Sequence, residues 1–481
     1  MSNATEHPMT APQMGQTNLK ANSLGFIGVA FFVISAAAPM AAFVGASPVI
    51  FSIMGPVVPL IYVLVAAVIA VFAIGYLKMS RHVVSAGGFV AYIARGLGRH
   101  AATGAAGIVV VTYVALQVGL WSQFGVFAQQ LVATFLGIDL PVWVWVLGFL
   151  IITTALTMFG VDLNLRILGV LLILEIIAVG ALIIGVFANS AGKDLSLVSF
   201  APSGLMQPGL GVAILFVFAC FTTFEATTVF SEEAREPRRT IPRALFAVII
   251  FVGVFYTLAT WAVSVAVGPA NIQEAAANDL AGVIFSVARD YVGPWLDVLM
   301  QILVVSSFIA MLIGVQNMFA RYMYALARAR ALPQTLAHVT KRSQAPARAA
   351  LVNGVVVGII TMAFLWSGAD PITVVFAWFV ALGTIGFVVM MAFASIAIVV
   401  FFIREKLEHG FWTTRVAPFA AVILMVAVLI ISILNYNALL FDDGVVARAL
   451  LWSIPLAFVL GALLPVFKKN VDFETVVGAG N

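Results

Sequence analysis

The sequence predicts an all-α polytopic membrane protein with twelve transmembrane helices. The 481-residue chain is 63% hydrophobic and only 9% charged, whereas a soluble domain carries about 25% charged residues. Apolar runs of roughly 20 residues, the length that crosses a bilayer, recur along the whole chain. Lysine and arginine are concentrated in every second connection between these runs. Each observation favours a bundle of membrane spans over a soluble domain.

The apolar runs give the spans in order along the chain. We expect helices near 23–51, 56–79, 102–136, 142–160, 164–188, 208–231, 241–267, 294–327, 347–367, 371–403, 414–437 and 446–467. Residues 1–22 are polar and lack the apolar core of a signal peptide, so we expect a disordered cytoplasmic N-terminal tail. Residues 468–481 are expected to form a cytoplasmic C-terminal tail.

The basic residues predict the orientation. If the N-terminus is cytoplasmic, all of the 24 lysines and arginines fall on the cytoplasmic side except Lys193, Arg289 and Arg448. Cytoplasmic loops of membrane proteins carry an excess of lysine and arginine. We therefore expect both termini in the cytoplasm and a location in the inner (plasma) membrane. This excess also accounts for the net charge of +4 without a nucleic-acid partner.

Two connections have helical spacing of their own. Residues 85–99, between the second and third spans, combine glycine with an amphipathic pattern that predicts a short interfacial helix. Residues 269–293 form the longest outside connection and predict a helix that caps the extracellular side.

The first span contains a predicted interruption at its middle. Proline lacks an N–H and clashes with the carbonyl four residues back, and backbone groups freed in this way persist in a membrane only against protein or a water-filled cavity. A simple proline kink is the alternative interpretation. The interrupted stretch is Ser35, Ala36, Ala37, Ala38 and Pro39.

The sixth span has a second weak point, where threonine hydroxyls can bond the backbone in place of the helical ladder. The first span starts inside and the sixth starts outside, so the second block of five spans is inverted. Interrupted helices at matching places in inverted halves indicate a transporter site, whose free N–H groups suit a carboxylate and whose carbonyls suit an ammonium group or a cation. The stretch is Cys220, Phe221, Thr222, Thr223 and Phe224, and Cys220 is the only cysteine of the chain, which excludes an intrachain disulfide.

Two acidic residues, Glu225 in the sixth span and Glu175 in the fifth, are predicted to lie deep in the membrane. Carboxyl groups are costly there and are usually functional. All five histidines fall in predicted loops or tails, so proton transfer is assigned to the glutamates. Burial favours the neutral form of a carboxyl group, which suits a group that binds and releases a proton. A hydrogen-bonded core glutamate is the structural alternative.

Five further polar or aromatic side chains lie in apolar spans. Ser306 and Ser307 place adjacent hydroxyls in the eighth span, and the third span contains Gln117, Trp121 and Gln123. These side chains either line a cavity or pack between helices, where serine is common.

Three motifs resemble those of the amino acid–polyamine–organocation permeases. "FTTFEATTVFSEEAREPRRTIPRA" (221–244) resembles the sixth-helix signature of that family, "NMFARYMYALARARALP" (317–333) resembles the end of its eighth helix, and "SRHVVSAGGFVAYIARGLG" (80–98) resembles its loop after the second helix. The resemblance implies a leucine-transporter-type fold, with five-helix inverted repeats at 23–188 and 208–403 and two added helices at 414–467. It also implies alternating-access transport of amino acids or related amines.

The resemblance also implies roles for individual residues. Glu225 stands at the acidic position beside the substrate, and Phe221 and Phe224 stand where aromatic residues gate the site. Glu175 stands about where several relatives keep a lysine that replaces a sodium ion. Ser306 and Ser307 resemble the hydroxyl pair that binds this sodium ion. The chain departs from the family pattern at "SAAAPM" (35–40) and at Thr223, which replaces a glycine.

Together these observations predict a secondary active transporter for an amino acid, coupled to protons, whose partners are a small-molecule substrate and the lipid bilayer. No cofactor or metal is expected beyond a coupling proton or Na⁺. An amine or polyamine carrier, a sodium-coupled mode and an exchange mode are the alternatives within transport. A channel or a transport-inactive sensor is an alternative of another class. A membrane enzyme is disfavoured because the chain has one cysteine, no histidine in a predicted span and no HExxH motif. The oligomeric state is left open.

Overall fold

The computed structural model describes residues 26–83, 87–159, 165–190, 196–225, 236–340, 345–405, 410–436, 445–468, 470, 471 and 473. Over these ranges the chain folds into helices joined by short turns, and none of the described residues is in a β-strand. The predicted N-terminal tail and most of the C-terminal tail lie outside the described residues.

The first repeat and the start of the second contain eight helices of the described chain. They are α1 (Phe26–Ala37), α2 (Pro39–Met54), α3 (Val58–Ser80), α4 (Gly88–Leu97), α5 (Arg99–Leu136), α6 (Val142–Met158), α7 (Leu165–Asn189) and α8 (Leu210–Phe221). The remaining helices are α9 (Pro237–Val267), α10 (Ile272–Asn278), α11 (Val283–Tyr291), α12 (Pro294–Arg328), α13 (Ala347–Trp366), α14 (Ala377–Arg404), α15 (Ala417–Leu434), α16 (Val445–Leu451) and α17 (Ser453–Phe467).

These helices account for the twelve predicted spans. Among the described residues, nine helical segments are long and apolar enough to cross a membrane, and one of them, Gly28–Ser80, contains both the first and the second span. The shorter apolar helices α6 and α8 supply the fourth and sixth spans. The all-helical, twelve-span prediction is therefore confirmed.

The boundary before the seventh span differs from the prediction. The sequence places the start of this span near 241, whereas α9 begins at Pro237 and contains Pro242. Proline suits the first position of a helix because the missing N–H has no intrahelical partner there. The charged stretch 226–235 lies outside the described residues.

The predicted interfacial helix in the second connection is α4, but it is buried rather than peripheral. Its residues from Gly88 to Ile93 are buried, and it packs against α14 and α5. Gly88 has a φ of 47°, a left-handed conformation that glycine adopts at no steric cost. This position therefore brings the start of α4 into the interior.

The long helix α5 forms the centre of the bundle. It packs against α14, α12 and α17. Gly107 permits the close contact with α17, because a Cβ atom there would overlap the backbone of Ala457. Small residues at such crossings are typical of membrane helices. This packing fixes the position of the α5 side chains that face the site.

The long outside connection forms two short helices, α10 and α11, rather than one. The Gln273 amide on α10 donates hydrogen bonds to the carbonyls of Ser52 and Ile53 at the end of α2, at 3.3 and 3.2 Å. Arg289 on α11 forms an ion pair with Asp297 on α12 at 2.6 Å. The connection is thus attached to both α2 and α12.

Candidate substrate and coupling site

The first span is interrupted at Ala38. Helix α1 ends at Ala37 and α2 begins at Pro39, while Ala38 has φ 46° and ψ 70°, in the left-handed region. A residue before proline is disfavoured in the right-handed helical region, and Pro39 suits the first position of α2. The Ala38 N–H still closes the last turn of α1 on the carbonyl of Ser35, at 3.1 Å.

The free N–H groups at the start of α2 are bound by side chains from two other spans. Met40 N–H donates to Glu175 Oε2 at 3.1 Å, and Ala41 N–H donates to Ser307 Oγ at 3.2 Å. Ser307 in turn donates to the same Glu175 oxygen at 2.9 Å. Glu175 on α7 and Ser307 on α12 therefore cap α2 together.

The environment of Glu175 suits a carboxylate. The residue is only 4% exposed, and its carboxylate lies at the positive end of the α2 dipole. It also satisfies a backbone donor that has no partner within the helix. Because a buried charge is costly without such partners, the interaction of Glu175 with α2 depends on its protonation state.

Ser306 does not join this cluster. Its hydroxyl donates to the carbonyl of Leu303 in its own helix at 3.0 Å. Successive residues of an α-helix are rotated by about 100°, so two adjacent serines cannot both face α7. Of the two serines that the sequence predicts as a hydroxyl pair, only Ser307 contacts Glu175.

The α-helical part of the sixth span ends just before Thr222. Helix α8 ends at Phe221, and Thr222–Glu225 form a tighter 3₁₀ turn. The Thr222 hydroxyl donates to the carbonyl of Ala219 at 2.8 Å, as the sequence predicts for a threonine at a weak point. The side chain of Thr223 lies outside the described structure.

A cavity of about 50 Å³ lies between the two interrupted spans. Three of the predicted substrate-site residues, Ala37, Cys220 and Thr222, lie in its wall, and the rest of the wall comes from α2, α5, α8, α12 and the start of the tenth span. This volume holds a few water molecules, so a bound amino acid fits only when the walls move apart.

Glu225 lies behind the wall of this cavity, in a cluster that joins four segments. Tyr113 on α5 lies in the wall and donates to Glu225 Oε2 at 2.5 Å. Tyr322 on α12 donates to Glu225 Oε1. The N–H of Phe89 on α4 reaches Glu225 Oε1 at 3.2 Å and the Tyr322 hydroxyl at 2.9 Å. The carboxyl group thus connects the 3₁₀ turn to α4, α5 and α12.

Gln117 and Trp121 lie between helices, away from the described cavity wall. The Gln117 amide exchanges hydrogen bonds with Asn353 on α13, at 3.2 and 2.9 Å. Trp121 is fully buried and packs edge-on against Phe124. Both residues therefore pack between helices, which is the alternative interpretation that the sequence left open.

The remaining predicted residues lie close to the break or beside Glu225. The Ser35 hydroxyl is buried, and no described residue forms a hydrogen bond with it. Phe221 is buried, and Phe224 packs within 6.0 Å of the Phe72 ring and 5.7 Å of the Phe387 ring, measured between ring centroids. Ala38 and Pro39 form the break, and the side chain of Ala36 lies outside the described structure.

The sequence motifs did not indicate the tyrosines of the Glu225 cluster or the apolar side of the cavity. Tyr113 stands in an apolar run and Tyr322 directly follows Arg321, and a buried tyrosine hydroxyl usually has a hydrogen-bond partner. This rule could have indicated from the sequence that both tyrosines bind a buried polar group. The apolar wall residues carried no such signal, because they do not differ in sequence from lipid-facing residues.

The chain was compared with known protein families. Residues 24–464 match the family model described as amino acid permease. The chain belongs to the amino acid permease family. Membership points to a transporter rather than an enzyme. Among the described residues of this permease, no group of three or more His, Cys, Asp or Glu side chains is placed to hold a metal ion.

Individual relatives of the permease are distant. It is 28% identical over 278 residues to an L-asparagine permease of Salmonella typhimurium, covering 53% of this chain and 52% of that protein. It is 27% identical over 316 residues to cationic amino acid transporter 1 of Arabidopsis thaliana, covering 62% and 50%. The permease thus spans about half the length of the curated relatives it matches.

A solved structure supports the fold. The crystal structure of MhsT in complex with L-phenylalanine aligns with a TM-score of 0.54 at 16% identity, over 87% of this chain and all of that chain. MhsT has the leucine-transporter fold. The inverted-repeat prediction, with two added C-terminal helices, is therefore confirmed.

Proposed function

We propose that this permease carries an amino acid across the plasma membrane by alternating access, with the substrate bound in the cavity between the interrupted first and sixth spans. One observation carries the proposal: Ala37, the last residue of α1, and Thr222, the first residue of the 3₁₀ turn, lie in the wall of the same cavity. Interrupted helices in the two repeats are where transporters of this type bind substrate.

The interruptions suggest how the charged head of an amino acid is held. The carbonyls at the ends of α1 and α8 lie at the negative ends of helix dipoles, where the Ala37 carbonyl accepts a hydrogen bond from the Tyr256 hydroxyl at 3.5 Å. They suit the ammonium group. The start of α2 has the opposite polarity, which suits a carboxylate, but in this structure Glu175 and Ser307 already accept the N–H groups of Met40 and Ala41.

Glu175 is the proposed site of proton coupling. Protonation removes the negative charge at the start of α2 and weakens the bond from Met40, as well as the bond from Ser307. The contact of α2 with α7 and α12 then loosens, so the α1–α2 break can change its geometry. Proton binding is in this way linked to the movement of the first span.

The hydrogen bonds favour a proton over sodium as the coupling ion. Sodium is a hard cation that needs oxygen ligands. Glu175 Oε2 already accepts two hydrogen bonds, and Ser307 Oγ accepts one from Ala41. These oxygens already face hydrogen-bond donors. A proton on the carboxyl group can rearrange these hydrogen bonds, and it needs no additional oxygen ligands.

The Glu225 cluster is the proposed cytoplasmic gate. The charge distribution predicts that α4 is cytoplasmic, and α4 contributes the Phe89 N–H to the cluster. Tyr113 stands between the cavity and Glu225. The cavity therefore opens toward the cytoplasm only when the hydrogen bonds of the Glu225 cluster break. The orientation with both termini in the cytoplasm is part of this proposal.

Counterflow in proteoliposomes tests the transport function. Vesicles that contain the purified permease are preloaded with a mixture of the twenty amino acids, and labelled amino acids are added outside one at a time. We expect at least one to accumulate transiently and saturably. If none exchanges, while labelled putrescine exchanges from putrescine-loaded vesicles, the protein is an amine carrier and the proposal fails. Flux that does not saturate indicates a channel.

A further inference from the structure

The part of the cavity away from the helix interruptions is apolar. Phe308, Met311, Val315 and Met318 supply the α12 side, and Leu116 and Leu120 supply the α5 side. None of the described residues in the wall is an aspartate, glutamate, lysine, arginine or histidine. A side chain that projects from a bound amino acid toward α12 and toward Leu116 and Leu120 of α5 therefore meets hydrocarbon.

Each polar side chain in the wall already has a partner in the protein. Tyr113 donates to Glu225, and the Gln123 amide donates to the carbonyl of Gly45 at 2.9 Å. Thr222 donates to Ala219, and the Cys220 thiol lies 3.4 Å from the carbonyl of Phe216. A polar substrate side chain would have to displace one of these bonds or share the hydroxyl and amide oxygens of these residues, which already face protein partners.

An unpartnered polar group in such a site lowers affinity strongly. Burial of an amide without a hydrogen bond is unfavourable, and burial of an unpaired charge is far more so. Apolar surface, in contrast, gains from removal from water in proportion to its area. The wall therefore discriminates by polarity, while the helix interruptions hold the head group that all amino acids share.

On these grounds we infer that the substrate is an α-amino acid with an uncharged, apolar side chain, such as leucine, methionine or phenylalanine. This inference rests on the proposed function, since it assumes that the cavity is the amino acid site. It disfavours arginine, lysine and polyamines, whose distal charge would need a carboxylate. Neither buried glutamate lies in the cavity wall, and Tyr113 separates Glu225 from the cavity while both tyrosines of the cluster bind it.

A binding panel on the purified permease tests the inference. L-Leucine, L-methionine, L-phenylalanine, L-asparagine, L-arginine and putrescine are titrated separately while thermal unfolding is followed. We expect the apolar amino acids to bind at least about tenfold more tightly than asparagine or arginine, as the loss of a buried hydrogen bond implies. Equal or tighter binding of asparagine or arginine overturns the inference and leaves amino acid transport standing. Binding of putrescine alone, or of nothing in the panel or among the other amino acids, overturns both.

A change in the wall gives a second test. Met311→Gln places an amide in the apolar part of the cavity, and Met323→Gln is a matched control because both methionines lie on α12 and are 6% exposed, while Met323 is not among the wall residues. We expect Met311→Gln to weaken leucine binding about tenfold relative to asparagine, and Met323→Gln to leave the selectivity unchanged. Identical selectivity in the two variants contradicts the assignment of this wall to the substrate side chain.

Discussion

Ser307 donates a hydrogen bond to Glu175 across the interface of α12 and α7, with Ser307 Oγ 2.9 Å from Glu175 Oε2. The same carboxylate oxygen accepts the N–H of Met40. Three spans that belong to both repeats therefore meet at one oxygen atom, directly after the break at Ala38. This link between a titratable group and the interruption of the first span is the basis of the predictions on coupling.

The two adjacent serines of α12 allow a matched comparison. Ser307→Ala removes the acceptor of the Ala41 N–H and a donor to Glu175, whereas Ser306→Ala removes only a bond to the carbonyl of Leu303. We expect Ser307→Ala to lower the free energy of unfolding by about 1–3 kcal/mol and to slow proton-driven uptake. Ser306→Ala should have a smaller effect on both. Thermal unfolding and proteoliposome uptake measure these effects, and equal loss in the two variants contradicts the capping role of Ser307.

Ala38 holds a conformation that is costly for any residue with a Cβ atom. Its φ of 46° is left-handed, at a cost of about 1–2 kcal/mol. We expect Ala38→Gly to raise the free energy of unfolding by about 1 kcal/mol. Ala30→Gly in the regular part of α1 is the control and should lower it by a similar amount. A lower unfolding temperature for Ala38→Gly would show that Ala38 is not strained in solution.

The only cysteine of the chain reports on the proposed cytoplasmic gate, because Cys220 lies in the cavity wall. Tyr322→Phe removes a hydrogen bond to Glu225, and a bond to a charged group is worth about 1.5–3 kcal/mol. We expect labelling of Cys220 by a small maleimide, added on the cytoplasmic side, to become about tenfold faster or more. Tyr324→Phe, two residues further along α12, should label like the wild type. Equal rates in the two variants would falsify the gate.

The sequence was sufficient to predict the span order, because each span repeats the same simple requirement of about 20 apolar residues. It also located the interruption near Pro39, since proline acts locally through its own ring and its missing N–H. Glu175 and Glu225 were found because a carboxyl group in an apolar run has few structural explanations.

The partners of those carboxyl groups could not be predicted from the sequence alone. Ser307 meets Glu175 and Ser306 does not, and this choice depends on the rotation of α12 about its own axis. Gln117 looked like a cavity residue but pairs with Asn353, 236 positions away. Such long-range pairing is a property of helix packing, which local sequence patterns do not encode.

The charge distribution makes a separate prediction about topology. In a Cys220→Ser background, Asn278→Cys lies on α10 and Glu236→Cys lies just before α9, and both positions are exposed. We expect a membrane-impermeant maleimide, added to intact cells, to label position 278 and not position 236. Permeabilised cells provide the control, in which both positions should react. Labelling of position 236 alone in intact cells would mean that the orientation is the opposite of the predicted one.

The central claim, an amino acid permease coupled to protons through Glu175, is tested most directly by uptake of L-leucine into proteoliposomes under separate proton and sodium gradients. We expect the wild type to concentrate leucine under an inward proton gradient and to ignore the sodium gradient. Glu175→Gln should retain counterflow but lose accumulation, because its amide cannot release a proton at the start of α2. Glu274→Gln, at an exposed position of α10, should behave like the wild type. Accumulation that follows sodium alone, exchange without accumulation in the wild type, or a Glu175→Gln variant that still concentrates leucine under a proton gradient would contradict the account.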